Sequence, residues 1–119
     1  MKKSIVTNFE DISAFSGKPA EHRHHLCFGA GIRPLAESNG IWIPLLASEH
    51  NMGALTDRIH GNSAAEHLSR MVGQLAWEKH YLAQRLASRR ENFTTDEAVK
   101  KLEDESREAF RKRYSISYL

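Results

Sequence analysis

The apolar pattern of this 119-residue chain changes period near Asn62, and that change restricts the folds open to it. Beyond Asn62, the residues Leu68, Met71, Val72, Leu75, Leu82 and Leu86 recur at i, i+3, i+4 and i+7, the spacing of one helical face, with Asn62 or Ser63 available as N-cap. The stretch "NFTTD" interrupts this long amphipathic helix. Thr94 or Thr95, followed by Asp96 and Glu97, then opens a last helix in which Val99, Leu102, Ser106, Ala109 and Phe110 share one stripe. That narrow seam suits packing on the preceding helix or on a second copy of the chain, so a homodimer through the C-terminal helices is one expected use of it.

Before Asn62 the punctuation is too close for long helices: "SGKP", "GAG", "SNG" and "NMG" follow one another. Between them, "HRHHLCF" and "GIWIPLL" are short and rich in aromatic or β-branched residues, which predicts two strands forming a small hairpin. Pro44 lacks an N–H and so belongs on an edge or at a strand end. The expected class is α+β: residues 1–63 form a strand-containing core with an N-terminal segment, and residues 64–119 a helical extension packed on it as one compact unit.

Several function classes drop out. No run approaches the ~20 apolar residues of a membrane span, and "MKKSIVTNFED" turns acidic before a signal-peptide core can form, so a soluble, cytoplasmic protein with no membrane partner is expected. Cys27 is the only cysteine, which rules out an intrachain disulfide and a cysteine-rich zinc knuckle. Any metal must rely on histidine, carboxylate or amide. The formal charge of +2 is small but uneven. Residues 1–63 balance six Lys/Arg against six Asp/Glu, whereas residues 64–119 carry eleven against nine. The surplus gathers in "RLASRR" (Arg85, Arg89, Arg90) and "RKRY" (Arg111, Lys112, Arg113), which are candidate phosphate contacts to DNA.

Seven histidines are many for this length. His67 and His80 fall on the long helix away from its apolar stripe and are expected at the surface. In a strand His22 and His24 face one way and His25 the other, so neighbours can do different work. One can bind a divalent metal while the other, with an ordinary pKa near ~6.5, serves as general base on water. His50 follows the second strand, where Ser48 can cap a short helix, and a hairpin returns that point beside His24. Ten residues of unbroken helix would hold His60 ~15 Å from His50, too far for one ion. A break at Gly53 and Thr56-Asp57 is therefore required to return His60 on a loop.

Taken together, "GKPAE…HH…G…GI…PL…EH…IH" between Ser13 and His60, with the tail "FRKRYSISYL", resembles the HNH, or His-Me finger, nuclease superfamily, and within it small phage and prophage proteins. The resemblance implies a ββα-metal core, here followed by two C-terminal helices. It implies one divalent ion (Mg, Mn or Zn) held by His24, His50 and His60, with His25 as the general base of phosphodiester hydrolysis, and so a DNA endonuclease or nickase. Many relatives carry a zinc ribbon whose cysteines match Ser13, Ser16, Leu46 and Glu49 here, so no structural zinc is expected. The middle Asn of the motif aligns near Ile41, two residues after Asn39, and Ala54 replaces the usual ligand four residues beyond His50. The alternative expectation is a non-catalytic nucleic-acid-binding or recombination accessory protein on the same scaffold. A third is a helical interaction module in which residues 64–114 dimerise.

Overall fold

A computed structural model describes residues 2–88 and 95–119. Strands β1 (His22–His25) and β2 (Trp42–Leu45) pair antiparallel, in the register His22↔Leu45, Arg23↔Pro44, His24↔Ile43, His25↔Trp42. Both strands are shorter than the runs read from the sequence, and they are not joined by a simple turn. Helix α1 (Arg33–Asn39) lies between them. In the sequence Gly31 and Gly40 bracket that stretch so closely that its pattern is one of turns. Pro34 opens the helix with its φ already set, and Gly40 closes it in the left-handed region at φ 72°, its N–H bonded to the carbonyls of Ala36 and Glu37.

The outer edge of β2 is covered by the N-terminal segment. The Trp42 carbonyl accepts the Ser4 hydroxyl at 2.7 Å and the Pro44 carbonyl accepts the Ala14 N–H at 2.9 Å. Pro44 thus turns its missing donor away from β1, where no ladder bond is lost. Strand alternation places His22 and His24 with Ile43 and Leu45 on one face, and Arg23 and His25 with Trp42 and Pro44 on the other.

A π-helical turn, Ser48–Met52, follows β2, and then come helices α2 (Ser63–Ser88) and α3 (Asp96–Tyr114). Asn62 caps α2 by accepting the Ala65 N–H, and Thr95 caps α3 by accepting the Ala98 N–H. On α3, Leu102, Ser106, Phe110 and Tyr114 are buried at i, i+4 spacing against α2 and the core. Cys27, Ala36 and Ile41 pack with Phe110 and Tyr114 in one cluster, so the C-terminal helices complete the hydrophobic core of the strand region. A second cluster joins Leu26, Ile43, Leu45 and Ile59 beneath the histidine-bearing face.

Helix α2 lies the other way round from its apolar pattern. The residues it buries are Ser69, Gly73, Gln74 and Glu78, while Leu68, Val72, Leu75 and Leu86 stay exposed. Close approach and polar anchoring explain the choice. A Cβ at Gly73 would stand 2.7 Å from Cys27 Sγ and 2.9 Å from Leu26 Cβ, so only glycine lets α2 lie so near β1. Gln74 is held by the Tyr118 N–H, Ser117 and Glu78, and Trp77 donates to Asn39.

Candidate metal centre

His24, His50 and His60 meet on one side of β1. Each offers a ring nitrogen, these atoms lie within 4.8 Å of one another, and the three ring centroids are 4.7–5.2 Å apart. His24 arrives from the strand and is fully buried. His50 arrives on the π-helical turn, whose N-cap is Ala47 rather than Ser48, with no side-chain cap. His60 returns after a turn over residues 55–57, as a break in the helix requires. Two backbone bonds fix that return: Ile59 N–H to the Glu49 carbonyl at 2.9 Å and His60 N–H to the His50 carbonyl at 3.0 Å. The Arg58 guanidinium then gathers the carbonyls of Asn51, Gly53 and His60 into one corner. These three carbonyls thereby find a donor outside the regular helix pattern.

The protonation pattern follows from the partners. The Ser69 hydroxyl donates to the Leu26 carbonyl at 2.8 Å, so its oxygen accepts from His24 Nε2–H at 2.7 Å. His24 Nδ1 is then an unprotonated, buried nitrogen without a hydrogen-bond partner. Such an orphan is costly in a folded protein unless it has a ligand to meet. Burial, reinforced by the charge that His50, His60 and His25 would carry, pushes the His24 pKa down to about 3. Burial, then His60, His22, Arg33 and His25, lowers His50 to about 4. Both imidazoles are neutral at pH 7, the form in which they bind metal. His60 Nδ1 faces Glu66 at 3.4 Å and His50 Nδ1 faces His22 Nδ1 at 3.1 Å, leaving the Nε2 atoms of both rings for an ion. Outer partners of this kind orient the ligating rings. A tetrahedral ion with Zn–N bonds of ~2.0–2.1 Å spaces its ligands by roughly 3.4 Å, within reach of small ring rotations. The donor set of three imidazoles would suit a divalent ion.

His25 lies across the strand in different company. Its Nε2 is bonded to the Glu37 carboxylate and its Nδ1 accepts from Arg33 Nε at 3.4 Å. Glu37 and Arg33 both belong to α1, so the helix missed in the sequence supplies the partners of this histidine. His25, His22 and His50 line one open cleft of about 930 Å³, together with Arg23, Arg33 and Trp42. The Arg23 guanidinium lies over the Trp42 ring, 3.7 Å from its centroid. Asn39 takes no part. Its Oδ1 accepts from Tyr114, Arg113 and Trp77 and ties α1 to the C-terminal helices.

The sequence reading did not single out Ser69, Glu66, Glu37 or Arg33, and it gave His22 no role. The one signal for α1 is "RPLAESNG" itself, with proline near its start and Asn-Gly last, and it says nothing of the contact between Glu37 and His25. The basic residues have varied surroundings. Arg85 pairs with Glu105 at 2.8 Å, Arg111 with Glu108 at 3.4 Å, and Arg113 donates to Asn39 and Ser38 of α1. Lys112 is exposed, while Arg89 and Arg90 lie outside the described residues.

One further arrangement involves Ser13, Ser16, Leu46 and Glu49. Glu49 Oε1 accepts the Ser13 hydroxyl at 2.5 Å and the Leu46 N–H at 2.8 Å, and Ser13 Oγ accepts the N–H groups of Phe15 and Ser16. Burial pushes the Glu49 carboxyl up, but hydrogen bonds from Ser13, Leu46 and Ser16 outweigh it and leave its pKa lowered. Two chain segments 33 residues apart are thus pinned by one carboxylate. Comparison with protein-family models, with curated proteins and with solved structures finds no match for this chain.

Proposed function

We propose that the protein is a metal-dependent phosphodiesterase of the His-Me finger type that nicks or cuts DNA, with His24, His50 and His60 holding one divalent ion and His25 acting as general base. The observation that carries the reading is the buried, partnerless Nδ1 of His24 beside two other imidazoles. The four positions that the resemblance aligns with zinc-ribbon cysteines are also neighbours here, joined by hydrogen bonds to Glu49 and Ser13. This supports the resemblance from a second direction. Three imidazole donors suit zinc or another borderline ion better than magnesium, which prefers oxygen ligands.

Bound there, the ion supplies Lewis-acid stabilisation of charge on the phosphate and leaving oxygen. The chain's own residues do the rest. Glu37 accepts from His25 Nε2 and so fixes the tautomer that leaves Nδ1 as the proton acceptor. Arg33, now on that nitrogen, moves to a phosphate oxygen when substrate enters the cleft, which frees Nδ1 for water.

Calorimetry should find about one Zn²⁺ or Mn²⁺ per chain, and plasmid or branched DNA should be nicked in its presence. His25→Ala should keep the metal and lose ~10²–10⁴-fold in rate. The second reading, a non-catalytic nucleic-acid-binding or recombination accessory protein, draws on two observations. Both nitrogens of His25 are engaged, and the cleft sets Glu10, Asp11, Glu21 and Glu37 against Arg23 and Arg33. Absence of metal-dependent cleavage by the parent on every one of these substrates selects it.

A further inference from the structure

The outward stripe of α2 has no cover within the described residues. Leu68, Val72, Leu75 and Leu86 are 60%, 39%, 51% and 50% exposed, and Val99 of α3 beside them is 42% exposed. Between the two helices runs a groove of about 510 Å³, on whose walls Leu75, Leu82 and Leu86 meet Val99 and Leu102. We propose that this face docks a second copy of the chain, the two α2–α3 hairpins closing into a four-helix bundle about a two-fold axis.

Three properties of the face favour an identical partner. The first is spacing. Leu68, Val72, Leu75, Lys79, Leu82 and Leu86 follow one another at intervals of 4, 3, 4, 3 and 4 residues, a series that reads the same from either end. Laid antiparallel on itself, the stripe sets Leu68 against Leu86, Val72 against Leu82, and Leu75 against the apolar stem of Lys79. Such a contact is self-complementary and closes after two subunits. The Lys79 stem covers Leu75 in this pairing while its ammonium, exposed in the single chain, stays in solvent.

The second property is charge. Lys79, Lys100 and Arg107 line the groove with Glu78, Glu103 and Asp104, an even balance. An identical copy meets no net repulsion there, and a polyanion gains no net attraction. The third is extent. The 19 residues of α3 make a face ~29 Å long, and two helices side by side are ~20 Å wide, giving roughly 600 Å² per partner, the lower end of what stable interfaces use.

The test is the mass of the full chain in solution, by sedimentation velocity from about 1 to 100 µM. Twice the chain mass is expected for the parent. Leu75→Glu should weaken association at least ~100-fold with unchanged helical circular dichroism, since Leu75 is half-exposed in the single chain. Lys79→Leu, which carries little folding risk at an exposed position, should tighten it at least ~10-fold. A parent that stays monomeric at 100 µM, a Leu75→Glu chain that remains dimeric, a Lys79→Leu chain with unaltered or weaker association, or open-ended polymers would each overturn the proposal. None of these readouts depends on metal or on cleavage.

Discussion

His24 and His25 are adjacent in the chain and yet occupy opposite chemical settings. His24 lies under α2, fully buried, with one nitrogen given to Ser69 and the other left without a partner among imidazoles. His25 lies against α1, held between the Glu37 carboxylate and the Arg33 guanidinium at the wall of an open cleft. The peptide between them contributes nothing to the difference except its pleat, which sends successive side chains to opposite faces. What each ring can do is set by the helix that covers its face. The α2 side leaves a buried imidazole with one nitrogen unpartnered; the α1 side leaves an imidazole held by a carboxylate and a guanidinium at the wall of an open cleft.

The strongest challenge to this contrast is removal of His24. His24→Ala should lower metal affinity by more than the ~10–100-fold typical of losing an outer partner, and abolish nicking with it, as titration calorimetry and a plasmid assay can report together. Equal metal affinity in the two proteins would place the ion elsewhere. A paired experiment then separates the faces. Ser69→Ala should weaken metal binding ~10–100-fold, with cleavage restored by excess metal, whereas Glu37→Gln should leave metal binding intact and slow cleavage by about 10²-fold at any metal concentration. Rates that recover with metal in Glu37→Gln would erase the distinction.

Acid should act on the His24 side. Its folded-state pKa of about 3 lies below the ordinary 6.5, so the unfolded chain binds more protons between these values. Stability of the metal-free protein is therefore complete above pH ~6.5 and falls as the pH drops toward about 3, by about 1.4 kcal/mol per pH unit from this one group. Urea unfolding at pH 7, 6, 5 and 4 measures it, and His24→Phe should flatten the slope. The smallest effect is expected away from both faces. Glu49→Gln loses the charge in the Ser13 and Leu46 hydrogen bonds and should cost about 1–2 kcal/mol. Because the Glu49 pKa is lowered on folding, its contribution is present above its ordinary 4.5 and disappears as the pH falls below that.

The α2–α3 hairpin offers a second contrast, between a helix whose pattern agreed with its packing and one whose pattern did not. On α3 the stripe can be read directly, and Leu102, Ser106 and Phe110 of it are buried while Val99 at its start stays exposed. On α2 the leucine stripe is equally legible, yet it faces outward while Gly73, Gln74 and Glu78 face in. Periodicity reports that a helix has an apolar side; it does not report which partner that side meets. The inward side of α2 was chosen by the close approach at Gly73 and by hydrogen bonds to Tyr118, Ser117 and Asn39, all distant in sequence.

The sequence by itself determined the local grammar of this protein. The change of period near Asn62, the choice of caps narrowed to Asn62 or Ser63 and to Thr94 or Thr95, and the split of His24 from His25 depend on residues a few positions apart, and the pairing of the His22 and Trp42 segments on two short runs about 20 residues apart. Even the return of His60 to His50 was legible, because an unbroken helix is too long for one ion and Gly53 offers an exit. Tertiary structure alone decided what surrounds each histidine. Ser69 reaches His24 across 45 residues, and Glu37 reaches His25 from a short helix stabilised by Tyr114 and Arg113 through Asn39. The protonation of an imidazole depends on burial and on partners brought together by chain folding, and neither is a property of its neighbours in sequence.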